Sequence, residues 1–344
     1  MKDVAQLIGD IHPSTVSLAL RNSPRISCEV RLKIQKAANQ IGYRRDPQLD
    51  AFNQHRLKII PQRASRHIAA ISDFSSAEEL SASPHHAAAR AGALEAAKRL
   101  HCKLDFFFCG PGQPSPRRLE TMLDARGLRA LLLFGVKADS SVMDFAWPRT
   151  CTMAIDSWQL HRPLYRVTPD HRAATRQLWH HAWAQGCRHI AMIRSGSALP
   201  VNDERAVAGF LLEQLRHSQA TPIPIFTLGP ERKTGVSFQK WLRTHRPLAI
   251  LHSSAITKKL SALLKGQNVR CYAFDTLSPA EPGIFPDYAE VGRRAIEQLV
   301  TLIQTNQLGL PPTAACTYIA VPPPAKPATA PDSFRADGKF TAVR

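Results

Sequence analysis

Three groups of residues in this 344-residue chain have the types and spacing to do chemistry. The first is the run His12-Pro13-Ser14-Thr15-Val16-Ser17-Leu18-Ala19-Leu20-Arg21-Asn22. Small hydroxyl side chains gathered on one helix front, followed by arginine, contact phosphate oxygens and base edges. The second group is three aspartates at the ends of apolar runs or the start of a helical one: Asp156, Asp170 and Asp275. A carboxylate beyond the C-terminal end of a strand accepts hydrogen bonds from vicinal hydroxyls of a ligand. The third is the pairs His85-His86 and His180-His181. Adjacent residues on a helix point about 100° apart, poor geometry for one metal ion, so solvated histidines and no metal are expected. The chain has no G-x-S-x-G, H-E-x-x-H, phosphate-binding loop or G-x-G-x-x-G, so neither a catalytic residue nor a cofactor is expected.

The hydroxyl run must sit on a helix, and its residues say how. Pro13 suits a first helical position, where its missing N–H would be unpaired anyway. Val16, Ala19 and Leu20 fall on one face. That leaves His12, Pro13, Ser14, Thr15, Ser17, Leu18 and Arg21 for contact. A narrow apolar stripe cannot fold alone, so it must dock on neighbours. Upstream, Val4, Leu7, Ile8 and Ile11 repeat at helical spacing. Downstream, a basic loop through Asn22 and Arg25 leads to a third helix with Ser27 as N-cap, Glu29 in its first turn, and Val30, Ile34, Ala37, Ala38 and Ile41 inside; Gly42 closes it. Three short helices of this kind form a helix-turn-helix whose second helix enters the major groove.

Asp3-Val4-Ala5, Thr15-Val16-Ser17, Arg21-Asn22, Arg31, Ile34, Ala37-Ala38, Ile41 and Gly42-Tyr43, in that order, resemble the headpiece of the LacI-type lactose- and purine-repressor family. The turn between Gly9 and Thr15 is one residue longer than is usual there, and Leu18 stands where many members carry Arg. The resemblance implies a homodimer on a near-palindromic double-stranded operator, contacted also by Arg25 and Tyr43. It implies a hinge helix over residues 46–54, with Phe52 where members place a Leu that wedges into a base step.

Charge agrees. The net charge is +18, and residues 1–66 hold 12 Lys/Arg against 5 Asp/Glu, so positive charge is densest in the head. Such an excess draws polyanions with a strong salt dependence. Seven scattered cysteines without a C-x-x-C read as small buried hydrophobes in a reducing compartment. No run reaches the ~18 apolar residues of a membrane span and no signal-peptide core is visible, so a cytoplasmic protein without membrane contact is expected.

From His67 the texture becomes alternating short apolar runs and helical stretches. Strands are predicted at 67–74, 104–108, 130–134, 151–155, 189–193, 223–226, 248–251, 269–274 and 317–321. Helices are predicted at 87–100, 117–125, 172–184, 205–215, 235–244, 256–264 and 288–304. Alternation of this length means parallel sheets covered on both faces. The fold class is therefore an all-α helix-turn-helix headpiece plus an α/β core of two Rossmann-like lobes. The domains are 1–43, the hinge helix and linker 44–66, the core 67–321, and a Pro- and Ala-rich disordered tail 322–344.

Gly186-Cys187-Arg188-His189-Ile190-Ala191, Ala273-Phe274-Asp275 and 288–295 resemble the effector-binding core of the same family, which is similar to periplasmic sugar-binding proteins. That resemblance implies a small, sugar-like effector held by Asp156, Asp170, Asp275 and Arg205. The family's ligand-gripping arginine, however, aligns with Ala206, three before Gly209. Trp158 and Phe74 are candidate stacking platforms or core residues. Three readings follow: a regulator, acting as a repressor, that senses a small molecule; a DNA-binding dimer whose core senses nothing; and an enzyme or solute-binding protein on the same core.

Overall fold

The structure, a computed structural model, describes residues 2–9, 11–20, 26–41, 67–136, 150–156, 163–196, 201–217, 222–229 and 233–324. It divides into two units, 1–66 with 300–308, and 67–299 with 309–344.

In the head, α1 (Lys2–Ile8), α2 (Pro13–Leu20) and α3 (Cys28–Gln40) enclose Val4, Ala5, Val16, Ala19, Ile34, Ala37 and Ala38, all buried. His12 closes the start of α2: its carbonyl accepts Thr15 N–H at 2.8 Å, and its Nδ1 accepts Ser14 N–H at 3.3 Å. An imidazole here does the work usually done by Ser or Asp. Ser27 caps α3 as expected, accepting Val30 N–H at 3.4 Å. Leu7 and Ile41 correct the sequence reading, being 54% and 42% exposed. The contact face of α1 is narrow and runs through Val4, Ala5 and Ile8.

The second unit has two parallel sheets. The first has the order β2-β1-β3-β4-β5-β10, from β1 (His67–Ser72), β2 (Lys103–Phe108), β3 (Ala130–Phe134), β4 (Cys151–Ile155), β5 (Tyr165–Pro169) and β10 (Ala315–Ile319). The second has the order β7-β6-β8-β9, from β6 (Ile190–Ser195), β7 (Phe226–Leu228), β8 (Ala249–His252) and β9 (Arg270–Ala273). The helices between them are α4 (Ala77–Ser81), α5 (Pro84–Arg99), α6 (Pro116–Ala125), α7 (His171–Ala184), α8 (Val201–Arg216), α9 (Lys233–His245), α10 (Thr257–Leu263) and α11 (Tyr288–Gln304). Near-continuous apolar strands such as Ala130–Phe134 are buried along their whole length, as two-sided cover requires.

Several boundaries move for local reasons. The strand predicted at 223–226 starts only at Phe226, because Pro222 and Pro224 cannot donate to a ladder. The strand β5 was not predicted. Arg166 breaks its apolar run, yet it pairs with both β4 and β10. Helix α5 begins at Pro84, earlier than expected, with proline in its first turn.

The chain passes between the sheets at 169–171, again before Tyr288, and after Ile319. Asp170 N–H donates to the Ile319 carbonyl at 2.9 Å, tying two of these passages together. Past the third, Val321 packs into the core of the second lobe beside Trp179, Phe210 and Phe274. On the first lobe, α5 and α11 touch through glycine. A Cβ on Gly92 would lie 1.9 Å from the Ala289 carbonyl oxygen, and one on Gly292 1.9 Å from that of Ala89.

Candidate functional site

The head presents α2 as the sequence implies. Val16 and Ala19 point into its core, while Ser14 is exposed and Pro13, Thr15, Ser17 and Leu18 are partly so. His12 and Ser14 are locked together, Nδ1 to Oγ at 2.7 Å, so the first turn offers a fixed imidazole and hydroxyl edge. Arg21, Asn22, Arg25, Tyr43 and Phe52, with the hinge helix predicted at 46–54, lie outside the described residues, as does Trp158.

In the core, the polar groups gather where strands end and the chain crosses between sheets. Asp156 follows β4 with φ at +52°, a left-handed backbone that Asp tolerates better than most residues. Its Oδ1 accepts the Thr168 hydroxyl at 2.5 Å and its Oδ2 the Tyr288 hydroxyl at 3.1 Å. Burial pushes its carboxyl up to about 6 despite these two bonds. Tyr288 is buried, and burial together with the charges of Asp156 and Asp275 raises its phenol well above the ordinary value. The face of its ring stacks on His85, centroids 4.4 Å apart. His85 Nε2 lies 2.7 Å from the Thr276 carbonyl, joining α5 to the second lobe, and burial lowers its pKa.

Asp275, just past β9, accepts Ser253 Oγ–H at 2.9 Å and Ser254 N–H at 2.6 Å. Both aspartates are thus held by neighbours, and a ligand would meet lone pairs fixed in direction. Asp170 caps α7, accepting Ala173 N–H at 2.9 Å. Beside it His171 is buried against Phe274, and burial drops its pKa to about 4. Arg205 lies over the Tyr318 ring, 4.6 Å from its centroid, and donates to the Tyr318 hydroxyl. Ala206 is fully buried in the second-lobe core. Arg166, on β5, is 4% exposed, and burial, helped by the charge of Arg205, lowers its pKa.

Asp156 is thus bonded to Tyr288, whose phenol also feels the charge of Asp275; Asp170 sits at the crossing, and Arg205 pairs with Tyr318. Sequence reasoning missed Tyr288, Thr168, Ser253 and Arg166 as site residues. It also took His85-His86 for solvated, whereas both are largely enclosed and His86 packs edge-on against Phe74. The signal available was Ser83-Pro84, a helix start that puts His85 in a first turn at the sheet switch point. Phe74 is thereby a packing residue against His86. A pocket of about 600 Å³ opens beside Tyr288, lined by Ala88, Phe285, Pro286, Asp287, Ala289 and 320–322. Its walls are mainly apolar.

Residues 1–46 match the family model of bacterial regulatory proteins, lacI family. The chain carries a LacI-family head. No curated protein matches the sequence. Among solved structures, the chain is similar to a complex of the transcriptional regulator CelR with cellobiose, at 17% identity over 93% of this chain and 96% of that one, with a TM-score of 0.56. It is similar to the lac repressor dimer bound to operator and the anti-inducer ONPF, at 17% identity over 94% and 96%, TM-score 0.55. It is also similar to the LacI-family regulator CcpA from Weissella paramesenteroides with bound glucose, at 12% identity over 75% and 96%, TM-score 0.54. At these identities the likeness fixes the fold, that of the two-lobed periplasmic-binding-protein type. No described helix is long and apolar enough to cross a membrane.

Proposed function

We propose that this LacI-type transcription regulator binds a near-palindromic operator as a homodimer, acts as a repressor in the cytoplasm, and is modulated by a small polyhydroxylated ligand in the cleft between its lobes. The observation that carries the DNA half is the head. A single reading helix with a hydroxyl front, on a core of seven buried side chains, covers one half-site, so two copies are needed for a full operator. Arg21, Asn22, Arg25 and Tyr43 add contacts around that front, and paired hinge helices would set Phe52 into the minor groove. The observation that carries the ligand half is the Asp156–Tyr288 bond at the crossing, with Asp275 fixed past β9 by Ser253 and Ser254 and its charge felt at Tyr288. Similar structures hold cellobiose or glucose. The proposal involves no catalysis and no cofactor.

The test is selection of bound sequences from random DNA, followed by affinity measurements across salt. A recovered two-fold site, with affinity falling steeply as salt rises, is the expected result. Deleting residues 1–45 should abolish that binding. Unchanged affinity after the deletion would refute the DNA half. Thermal shift against a sugar and nucleoside panel tests the ligand half. A stabilising sugar whose effect is lost in Asp275→Ala supports it. If no compound stabilises the chain, the DNA-binding dimer with an unresponsive core becomes the better reading.

A further inference from the structure

Helices α7 and α8 carry a cluster that the cleft does not use. At its centre is Glu213, whose side chain is 1% exposed. Its Oε1 accepts Arg176 Nε at 2.6 Å and Arg216 Nη1 at 3.3 Å. Its Oε2 is buried, accepts no hydrogen bond, and faces two imidazole nitrogens, His180 Nε2 at 3.2 Å and His217 Nε2 at 3.8 Å. His217 Nε2 is itself buried and without a hydrogen-bond partner. The three atoms lie within 4.8 Å of one another.

We propose that His180, Glu213 and His217 bind a divalent transition-metal ion of the zinc class and so clamp α7 to α8. Two imidazoles and one carboxylate oxygen are the donor set such ions prefer. With metal–ligand bonds of about 2.0–2.1 Å, tetrahedral ligands stand roughly 3.3 Å apart. The observed 3.2 and 3.8 Å separations from Oε2 are within about half an ångström of that, and all three donor atoms lie within 4.8 Å of one another, so side-chain rotation can close the set on an ion. Glu213 and His217 are one helical turn apart, and the helical bond from His217 N–H to the Glu213 carbonyl at 3.0 Å keeps them on one face. His180 arrives from the other helix, half-exposed, leaving an approach from solvent.

The surroundings support the ligands from behind. Arg176 and Arg216 occupy Oε1 and leave Oε2 toward the two imidazoles, the part outer partners play for ligating carboxylates. Their positive charge opposes a second cation, which limits affinity and favours nitrogen-seeking ions over calcium or magnesium. The His217 ring is fixed by stacking on Trp183 at 4.7 Å and on Trp179 at 5.8 Å, with Arg188 on Trp183 at 4.3 Å. Adjacency on a helix rules out His180 with His181 for one ion, but not His180 with His217 of the neighbouring helix.

The experiment is a Co²⁺ titration of the full chain at neutral pH, followed by visible absorption and tryptophan fluorescence, with Zn²⁺ competition. One equivalent should give a saturable ligand-field band, lost on adding Zn²⁺, with tryptophan quenching because His217 lies on Trp179 and Trp183. His180→Ala touches an exposed side chain and leaves the fold intact. It should weaken binding by more than about tenfold, the lower limit even for losing a group that merely supports a metal ligand. His217→Ala should do the same, and His189→Ala, at another exposed histidine, should change nothing. No saturable band, or a band that survives both His180→Ala and His217→Ala, overturns the proposal and leaves an ionic cluster of arginine, glutamate and histidine.

Discussion

The Tyr288 hydroxyl donates to Asp156 Oδ2 at 3.1 Å, linking residues 132 apart at the point where the chain returns to the first lobe. This bond favours the charged carboxyl against the burial that raises its pKa, and it ties the start of the helix that follows to the end of β4. Tyr288→Phe keeps the ring and its stacking on His85 and removes only the donor. A hydrogen bond to a charged group contributes about 1.5–3 kcal/mol. Loss of stability in that range at pH 7, by urea denaturation, is the expected outcome, along with a further rise in the Asp156 pKa. An unchanged midpoint would mean that the bond contributes nothing.

Asp156 gives the fold a pH dependence of unusual sign. Its carboxyl titrates at about 6 in the fold against 3.8 normally, because burial disfavours the charge. Between those values the folded state holds the extra proton, so stability falls as pH rises from about 4 to about 6. The loss is on the order of 3 kcal/mol. Asp156→Asn should remove that slope and be more stable than the parent at pH 7; melting temperatures from pH 4 to 7 decide it.

His171 works the other way. Burial drops it to about 4 from 6.5, and both ring nitrogens are buried without a hydrogen-bond partner. The unfolded chain takes up the proton first, so stability is complete above about 6.5 and is lost as pH falls toward 4, again by on the order of 3 kcal/mol. His171→Phe retains an aromatic ring against Phe274 and should leave the Asp156 slope alone, with stability falling as pH rises from about 4 to about 6. In the parent the two slopes partly cancel, so each appears clearly only in the other's variant.

Gly92→Ala or Gly292→Ala inserts a methyl 1.9 Å from a carbonyl oxygen of the facing helix. Helix propensity alone would make either change stabilising by about 1 kcal/mol. The crossing reverses the sign, and overpacking should cost roughly 1–3 kcal/mol. Denaturation of the two variants and of a control, Gly235→Ala, where the nearest contact is 3.9 Å, separates propensity from packing.

Much of this fold was legible because helical and strand periods are local. Pro13, Val16 and Ala19 announce the reading helix, and the strand at 130–134 needs no neighbour to be recognised. What was not legible depends on partners far along the chain. Arg166 reads as a break in a strand until β4 and β10 flank it. His85 reads as a surface residue until Thr276, 191 residues on, and Tyr288 beyond it enclose it. Asp156 and Asp275 could be picked out as strand-end acids, but that Tyr288 feels the charge of both could not. Ala206 could be aligned with the family arginine, but only packing shows that this position faces the core.

The edge strand β10 has a consequence for synthesis. Tyr165 pairs with Ala315, and Pro169 with Ile319, so the first sheet is closed by a segment made 150 residues after its neighbour. At typical translation rates that is roughly 8–30 s during which β5 has no outer partner. All four strands of the second sheet emerge in that interval and can settle first. A nascent chain thus carries an open parallel edge until nearly its last element leaves the ribosome, and an early stop before residue 315 leaves that edge permanently available to other chains.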